Sequence, residues 1–256
     1  MNGKLMEKLA PGTEYAGLSD PKGHAAPDDS VVPGVPDIPT APAAADIDAI
    51  LRQKQFTLAA KRIYDIIFSA LGLLALVPLF GVIAVLIKKD SPGPVFYQQT
   101  RIGRNGREFT IYKFRKMHDY VGDGGSNLTL ANDGRMTRIG AWLRKTKIDE
   151  LPQAFNVLKG DMAVVGPRPE TPNYVEHYTP EQSQVLKVKP GITDYASIYF
   201  INEGDLLEQT TDPETYYIKA IMPQKIRLNT RYIQDMSIAT DMKIIFLTFK
   251  NIFLSL

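Results

Sequence analysis

The sequence contains no cysteine, a single tryptophan and only three histidines among its 256 residues. The lack of cysteine excludes disulfide-stabilised scaffolds, zinc–thiolate sites and thiol nucleophiles. The sequence also lacks a GxSxG motif and a Walker loop, which carry serine nucleophiles and nucleotide phosphates in other enzymes. The histidines have no local Ser or Asp arrangement that resembles a triad. These absences narrow the candidates for a catalytic nucleophile.

Charge is unevenly distributed along the chain, although the formal net charge is only +2. Residues 1–50 carry three lysines and eight acidic side chains, so this stretch is −5 and the remainder is +7. A basic body favours partners that carry phosphate, namely a nucleotide, a nucleic acid or an anionic lipid. The length and the 44% of hydrophobic residues allow one globular domain with a core.

The first 48 residues predict a disordered acidic tail. They contain seven prolines among small and acidic residues, and no apolar period runs through them. No apolar central region follows the first lysines, so a secretory signal peptide is not expected. A helical pattern begins near Asp48, and we place the start of the next segment at residue 49.

Residues 66–87 form the most apolar stretch, with 22 residues and no charge. A straight helix of this length spans about 33 Å, which is enough for the hydrocarbon core of a bilayer. An ordinary transmembrane helix is therefore one interpretation. Pro78 weakens it, because a proline in mid-helix removes a backbone hydrogen bond and clashes with the carbonyl of Leu74. A buried core helix is a further interpretation.

The charges that flank this stretch favour a hairpin that enters the bilayer and returns. Both flanks are basic, so the positive-inside rule selects neither end for translocation. A helix broken at Pro78 would satisfy both flanks on the same side of the membrane. The flanking cations are Arg52, Lys54, Lys61 and Arg62 on one side and Lys88, Lys89, Arg101, Arg104 and Arg107 on the other.

The pattern after residue 90 is typical of a small α/β unit. The SPGP run at residues 91–94 must turn the chain, and two strand-like runs, VFYQQTRIG and EFTIYKF, meet at Asn105-Gly106, a strong hairpin signal. In the second run, the period of two places Lys113 and Arg115 on one face. Helices are predicted at residues 136–146, 150–159, 181–189 and 213–233, with an amphipathic helix over residues 241–256.

The adjacent pair Asp149 and Glu150 is the most informative chemical feature. A structural interpretation makes Asp149 a helix N-cap followed by an acidic first turn. A functional interpretation is compatible with it, because a helix start can receive phosphate and two carboxylates can hold Mg²⁺. Arg168, between Pro167 and Pro169, is a guanidinium on a stiff extended backbone, suited to phosphate or a nucleobase edge or simply part of a surface turn.

These residues lie in long motifs that resemble the bacterial sugar transferases, the monotopic phosphoglycosyl transferases that begin glycan assembly on a polyprenol carrier. The resemblance runs from Lys61 to Phe249 with the motifs in the same order. They are KRIYDIIFSALGLLALVPLFGVIAVLIKKDSPGPVFYQQTRIGRNGREFTIYKFRKM, RIGAWLRKTKIDELPQAFNVLKGDMAVVGPRPE, VKPGIT and YIQDMSIATDMKIIFLTF. The family implies transfer of a sugar-1-phosphate from a UDP-sugar to polyprenol (undecaprenyl) phosphate, release of UMP, and a requirement for Mg²⁺.

The resemblance also implies roles for individual residues. Asp149 matches the family's nucleophile, which forms an aspartyl-phosphosugar intermediate, and Glu150 matches its metal-binding partner. Pro78 matches the break of the re-entrant hairpin. The positions of basic residues that handle phosphates and uridine correspond to Lys113, Arg115, Arg144 and Arg168, the last of these held by Pro167 and Pro169.

We therefore expect a mainly helical α/β enzyme at the cytoplasmic face of the bacterial inner membrane. Its parts are a tail (residues 1–48), a membrane-associated re-entrant segment (49–89) and an interfacial catalytic domain (90–256) with a small β-hairpin and amphipathic helices. The expected partners are a UDP-sugar, polyprenol phosphate and the lipid bilayer, without nucleic acid; a homodimer is compatible with the sequence. Direct transfer in a ternary complex and a catalytically silent membrane-anchored binding module remain as alternatives.

Overall fold

The computed structural model describes residues 46–118, 128–130 and 132–255. The predicted tail lies outside the described residues as far as residue 45. The described part is mainly helical and has two small two-stranded sheets, which confirms the predicted class. The helices are α1 (Ile47–Gln53), α2 (Gln55–Asp90), α3 (Arg138–Thr146), α4 (Gln153–Lys159), α5 (Pro172–Val175), α6 (Tyr195–Tyr199), α7 (Glu203–Glu208), α8 (Pro213–Tyr216), α9 (Met222–Asp235) and α10 (Ile238–Ser255), and the strands are β1 (Phe96–Ile102), β2 (Glu108–Phe114), β3 (Ala163–Val165) and β4 (Gly191–Thr193).

Helix α2 is a single element of 36 residues that continues through Pro78. The expected division into two helices at this proline is therefore not present in the secondary structure. A proline inside a helix removes one backbone hydrogen bond and introduces a kink, and the turns on either side can remain helical. In an apolar setting the backbone has no other hydrogen-bond partners, which favours continuation of the helix. The re-entrant course of α2 in a bilayer stays a prediction.

The middle of α2 projects from the rest of the chain. Leu71, Leu74 and Val77 are 61%, 73% and 61% exposed. Within the described ranges, α2 is the one helix long and apolar enough to cross a membrane by length and composition, and only 11% of its most apolar stretch is buried. A core helix would bury most of this surface. The exposure therefore favours membrane association over the core-helix interpretation.

Both ends of α2 pack against the body of the protein. Near its start, the carboxylate of Asp65 accepts a hydrogen bond of 3.0 Å from the backbone N–H of Val164 in β3. Near its end, Ile83 and Ile87 are buried in an apolar cluster with Phe114 and Leu143. The side chain of Asp90 then accepts a hydrogen bond of 2.9 Å from the backbone N–H of Ile139, in the first turn of α3.

Strands β1 and β2 form the predicted antiparallel hairpin, in which Thr100 pairs with Thr110. The turn between them has positive φ at both Asn105 (58°) and Gly106 (72°). The connection is the 3-10 turn Arg104–Gly106, and Asn and Gly are the residues that adopt positive φ at the lowest cost. The hairpin places the last residues of β2 beside the segment that carries the acidic pair.

The acidic pair lies in a turn between helices α3 and α4. Helix α3 starts after Thr137, whose hydroxyl accepts a hydrogen bond of 2.9 Å from the N–H of Gly140. Lys147 ends α3 in the left-handed region (φ 57°), and a 3-10 turn follows at Ile148–Glu150. Asp149 is therefore one residue inside a 3-10 turn and does not cap α4, which begins at Gln153. The helix predicted over 150–159 exists but starts later, because Pro152 is its N-terminal cap.

The remaining chain forms the main core around a short parallel pair, β3 and β4, which the sequence did not predict. The two strands come so close that a Cβ added to Gly191 would lie 2.1 Å from the backbone nitrogen of Gly166. Val165, Ile233 and Ile244 are fully buried in this core, which joins β3, α9 and α10. The predicted helix over 213–233 is α8, a π-helical turn (Tyr217–Ile221) and α9 in succession, and the predicted C-terminal helix is α10.

Candidate active site

A cavity of about 400 Å³, called here the large cavity, brings the acidic pair together with seven cationic side chains. One part of its wall is charged and the other is apolar, with Ile192, Ile245 and Phe249 among its members. Helix α10 contributes Ile245, Phe249 and Ile252 to the apolar wall. The charged residues that line the cavity are Asp149, Glu150, Glu170 and Glu203 together with Arg101, Lys113, Lys116, Arg144, Lys147, Arg168 and Lys225.

The carboxylate of Asp149 is buried, and only one of its two oxygens has a hydrogen-bond partner among the described residues. Lys116 donates a hydrogen bond of 3.1 Å from Nζ to Oδ2. The other oxygen, Oδ1, is buried and has no hydrogen-bond partner among the described residues. An unpartnered buried carboxylate oxygen is costly, so such atoms in native structures call for an explanation. Here the atom belongs to Asp149, the residue that the resemblance matches to the family's nucleophile.

Glu150 points to different partners, because neighbouring residues of a 3-10 turn project in different directions. Lys113 Nζ donates to Oε1 at 3.1 Å, and Arg168 donates to Oε2 from Nη1 at 3.1 Å and to Oε1 from Nη2. Burial opposes ionisation of Glu150, but Arg168 and Lys113 together hold the pKa of this carboxyl well below its ordinary value. Glu150 is therefore a carboxylate at neutral pH.

Burial changes the cations as well. It lowers the pKa of Lys113 to about 8, against the attraction of Glu150, and it lowers the pKa of Lys147. The attraction of Glu150 is the largest influence on Arg168 and raises the pKa of its guanidinium. The cations are thus unequal: Arg168 stays charged, whereas Lys113 can lose its proton just above neutral pH.

The GPRP segment presents Arg168 through backbone contacts on both of its proline neighbours. The carbonyl of Pro167 accepts a hydrogen bond of 2.9 Å from the N–H of Gly191. The carbonyl of Pro169 accepts one of 3.1 Å from Arg101, and the N–H of Arg168 itself donates to Asp194 at 3.1 Å. The stiff backbone that the sequence predicted is therefore fixed to β4, and the guanidinium reaches Glu150.

The other two predicted cations, Arg144 and Arg115, bind backbone carbonyls. Arg144 lines the large cavity and holds its rim, donating 2.6 Å to the carbonyl of Leu130. Arg115 is not among the described residues that line the large cavity. Its guanidinium donates to three carbonyls of the turn after α2, those of Ser91, Pro92 and Pro94, at 2.9, 2.7 and 2.6 Å. Because Arg115 follows the end of β2, it leaves the face of Lys113 and secures this turn instead.

The match to known proteins covers the described site. The family model for the bacterial sugar transferases matches residues 56–255, most of the chain. The chain belongs to the bacterial sugar transferase family. This assignment includes α2, the acidic pair and the GPRP segment in one aligned region.

Several relatives of this chain have descriptive names. The undecaprenyl-phosphate glucose phosphotransferase of Komagataeibacter xylinus is 41% identical over 75% of this chain and 35% of its own length. A putative undecaprenyl-phosphate N-acetylgalactosaminyl 1-phosphate transferase of Bacillus subtilis is 47% identical over 48% of this chain and 69% of its own length. The exopolysaccharide production protein PSS of Rhizobium leguminosarum is 41% identical over 74% of this chain and 92% of its own length. The chain thus spans little more than a third of the Komagataeibacter protein but nearly all of the Rhizobium one.

The chain also has a buried charge network that the sequence did not predict. Lys225 donates to Glu203 at 2.8 Å and to the hydroxyl of Tyr217 at 3.1 Å, and this hydroxyl donates to Glu170. Arg101 lies 3.8 Å from the second oxygen of Glu170. Burial opposes ionisation of Glu170, but Lys225 and Arg101 lower its pKa. The sequence hints only at Glu170, which directly follows the GPRP segment. Lys225 lies in a helix whose apolar pattern is that of an ordinary core helix, so nothing in the sequence marks it.

The donor set of the acidic pair is compatible with Mg²⁺. Among the residues that the structure describes, no group of three or more His, Asp or Glu side chains could hold a metal ion. Glu150 offers its carboxylate, whose two oxygens are shared with Lys113 and Arg168. Mg²⁺ is often held by one or two carboxylates, with phosphate oxygens of the substrate and water in the other positions. The residues therefore fit the Mg²⁺ expected at Glu150 if a diphosphate shares it.

Proposed function

We propose that this sugar transferase moves a sugar-1-phosphate from a UDP-sugar to undecaprenyl phosphate and releases UMP. The observation that carries the proposal is the unpartnered, buried Oδ1 of Asp149 in a cavity lined by cations. Relatives named for glucose and for N-acetylgalactosamine transfer to undecaprenyl phosphate support the reaction class. Such a transfer would be the first membrane step in the assembly of a bacterial glycan.

The proposed reaction has two displacements at one phosphorus. Oδ1 of Asp149 attacks the phosphorus that bears the sugar, the bond from this phosphorus to the bridging oxygen breaks, and UMP leaves with the electron pair. A phosphate oxygen of undecaprenyl phosphate then attacks the same phosphorus, and the bond to Asp149 breaks. The carboxylate is regenerated, and both steps exchange one phosphate linkage for another.

The surrounding cations have separate tasks in this proposal. Lys116 holds the other oxygen of Asp149 at 3.1 Å and so orients the attacking atom. Arg168 and Lys113 balance the negative charge of the diphosphate while they remain paired with Glu150. Glu150 would hold Mg²⁺ together with the diphosphate, and the bound ion would neutralise charge on the leaving UMP. Arg144 stabilises the rim at residues 128–130.

The lipid substrate and the soluble substrate must meet at a membrane surface. Arg62 and Asp65 bind the body near one end of α2, and Ile87 and Asp90 bind it near the other. A helix that crossed a bilayer would place these ends on opposite sides, so the contacts support a re-entrant course with a kink at Pro78. On α10, Phe246 and Phe253 are 68% and 74% exposed, as expected of an interfacial helix. We assign this arrangement to the cytoplasmic face of the bacterial inner membrane.

The test is the mass of the intact protein after mixing with a UDP-sugar and Mg²⁺ in the absence of the lipid acceptor. An adduct with the mass of the sugar-phosphate is expected in the wild type and absent in Asp149→Asn. Asp161→Asn is a matched control, because Asp161 pairs with Lys159 outside the large cavity. UMP release only when acceptor is present, without an adduct, would favour direct transfer in a ternary complex. No UMP release with any UDP-sugar would favour a silent binding module.

A further inference from the structure

A second cavity, of about 290 Å³ and called here the small cavity, lies on the other side of strand β3. Successive side chains of a strand face opposite sides of a sheet. Val164 lines the large cavity, whereas its neighbours Ala163 and Val165 line the small one. The two cavities are therefore separate sites back to back across one strand, and the proposed reaction uses only the first.

The small cavity is strongly basic around an apolar interior. Leu58, Val188 and Met236 contribute to its apolar wall. Five cationic side chains and one carboxylate line it, so positive charge is in excess. These residues are Lys61, Arg62, Arg104, Lys187, Lys189 and Asp65.

Two of these cations form no direct ion pair. The side chains of Arg104 and Lys189 make no hydrogen bond or ion pair with any residue in the part of the chain that the structure describes. Lys61, by contrast, is bound to Asp241, and Lys187 is paired with Asp48. Arg62 is bound only to backbone carbonyls, among them that of Val157 at 2.6 Å. Its positive charge therefore remains available to a ligand.

The unpaired cations are also crowded together. A Cβ built on Gly160 would lie 3.5 Å from Nη2 of Arg62 and 3.8 Å from Nζ of Lys189, so both groups flank one point. Burial, followed by repulsion from Arg62 and Arg104, lowers the pKa of Lys189. Like charges held this close in a concave site are unfavourable by themselves and favour an anion between them.

The position of the small cavity on α2 indicates the kind of anion. Lys61 and Arg62 lie in the turn before the charge-free stretch 66–87 begins, and Ile63 between this turn and that stretch is 62% exposed. The cavity therefore opens where α2 leaves the body for the membrane. We propose that the small cavity binds the phosphate headgroup of an anionic membrane phospholipid, with the start of an acyl chain against Leu58 and Met236. Basic pockets beside membrane helices bind such headgroups.

The proposal can be tested on the full chain by the reactivity of Lys189 towards an amine-acylating reagent, mapped by peptide mass spectrometry. The protein is placed in vesicles of phosphatidylcholine alone or of phosphatidylcholine with phosphatidylglycerol. We expect roughly tenfold slower acylation of Lys189 with phosphatidylglycerol, in line with two or more cation–phosphate contacts. Lys159 is the reference, because its side chain is 51% exposed and lies outside the small cavity. Equal acylation of Lys189 in the two vesicles would overturn the proposal.

Two further arms distinguish other sources of the anion. Protection of Lys189 by inorganic phosphate in detergent, without protection by phosphatidylglycerol, would assign the site to a soluble phosphate and overturn the lipid. Lys189 could also be protected in detergent without any lipid or phosphate. If this protection is lost when the acidic residues of the tail are replaced by amides, the site binds the tail, and the lipid proposal is overturned. The tail residues to replace are Glu7, Glu14, Asp20, Asp28, Asp29 and Asp37.

A pair of charge-matched variants tests the site without relying on vesicles. Native mass spectrometry of detergent-purified protein should show phosphatidylglycerol retained by the wild type. Arg104→Gln/Lys189→Gln should lose about tenfold or more of this retention. Lys243→Gln/Lys250→Gln removes the same charge from exposed positions on α10 and should retain the lipid as the wild type does. Equal loss of phosphatidylglycerol in the two variants would show that retention depends only on the total surface charge, and this would refute a specific site.

Discussion

The two cavities on either side of β3 differ in how their cations are paired. In the large cavity, seven cations face four carboxylates, and Glu150 and Asp149 each hold cations at 3.1 Å. In the small cavity, Lys61 and Lys187 are paired with Asp241 and Asp48, whereas the other three cations, Arg62, Arg104 and Lys189, make no ion pair with a described residue. Paired cations are oriented before a substrate arrives and can be shared with it, which suits a site where charge moves during a reaction. Cations without an ion-pair partner attract an anion but are not oriented beforehand by a carboxylate, which suits a site that binds an anion without reaction.

A second contrast lies within the large cavity, between Glu150 and Glu170. Both carboxylates are buried, but Glu150 contacts its cations directly, whereas those of Glu170 lie 3.7 and 3.8 Å away and the hydroxyl of Tyr217 contacts it instead. Glu150 directly follows Asp149, whose Oδ1 has no hydrogen-bond partner among the described residues. We therefore expect Glu150 to act in the reaction and Glu170 to act in the stability and shape of the cavity.

The largest expected effect comes from Glu150→Gln. Loss of this carboxylate removes the partner of Arg168 and Lys113 and the proposed Mg²⁺ ligand, so kcat should fall by about 10³-fold. The dependence of the remaining rate on Mg²⁺ concentration should weaken. Initial rates of UMP release measure both quantities.

Glu170→Gln is the matched control for this change. It leaves Lys225 and Arg101 without their shared carboxylate in a buried setting, so the free energy of unfolding should fall by about 3 kcal/mol. The rate per folded molecule should change far less than in Glu150→Gln. Equal losses of rate in the two variants would remove the distinction between the two glutamates.

The next effect separates Arg168 from Arg115. Arg168→Ala should lower kcat/KM for the UDP-sugar by about 10²-fold, because a charged contact in a dry site is lost. Arg115→Ala leaves three backbone carbonyls of the turn at 91–94 without a donor. It should lower the melting temperature and leave kcat/KM of the folded fraction nearly unchanged. A rate loss in Arg115→Ala as large as in Arg168→Ala would return Arg115 to the substrate site.

Sequence alone predicted the parts of the site that local motifs carry. The hairpin turn at Asn105-Gly106 is encoded by two residues with a specific backbone preference, and GPRP by two fixed φ angles. Both appear where expected. The continuation of α2 through Pro78 was not expected, because a local rule for proline does not include the apolar surroundings that keep its neighbours helical.

What sequence could not predict depends on contacts between distant segments. The network of Glu170, Tyr217 and Lys225 joins residues that are up to 55 positions apart in the numbering, and its helices have the period of an ordinary core. The parallel pair of β3 and β4 has only three residues in each strand, too few for a periodic signal. Arg115 shared a motif with Lys113, but its partners are carbonyls fixed by the end of α2.

A smaller effect concerns pH. Because burial lowers the pKa of Lys113 to about 8, a protonated Lys113 is lost from the free enzyme as pH rises through this value. If its charge assists binding of the diphosphate, kcat/KM should decline above about pH 8, since kcat/KM reports ionisations of the free enzyme. Lys113→Arg keeps the charge at higher pH and should remove the decline. A decline that persists in Lys113→Arg would assign the titration to another group, such as Lys147.

The smallest effect should come from Tyr217→Phe, which tests whether the second network is structural. The change removes only the hydroxyl that accepts from Lys225 at 3.1 Å and donates to Glu170, and it leaves the buried ring in place. The free energy of unfolding should fall by about 1–2 kcal/mol, because one hydrogen-bond bridge between charged groups is lost while Lys225 keeps Glu203. Denaturant unfolding measures this loss, and kcat/KM should stay within about twofold of wild type. A loss of kcat/KM as large as that of Arg168→Ala, with stability intact, would place Tyr217 and its network on the substrate and would end the contrast between Glu150 and Glu170.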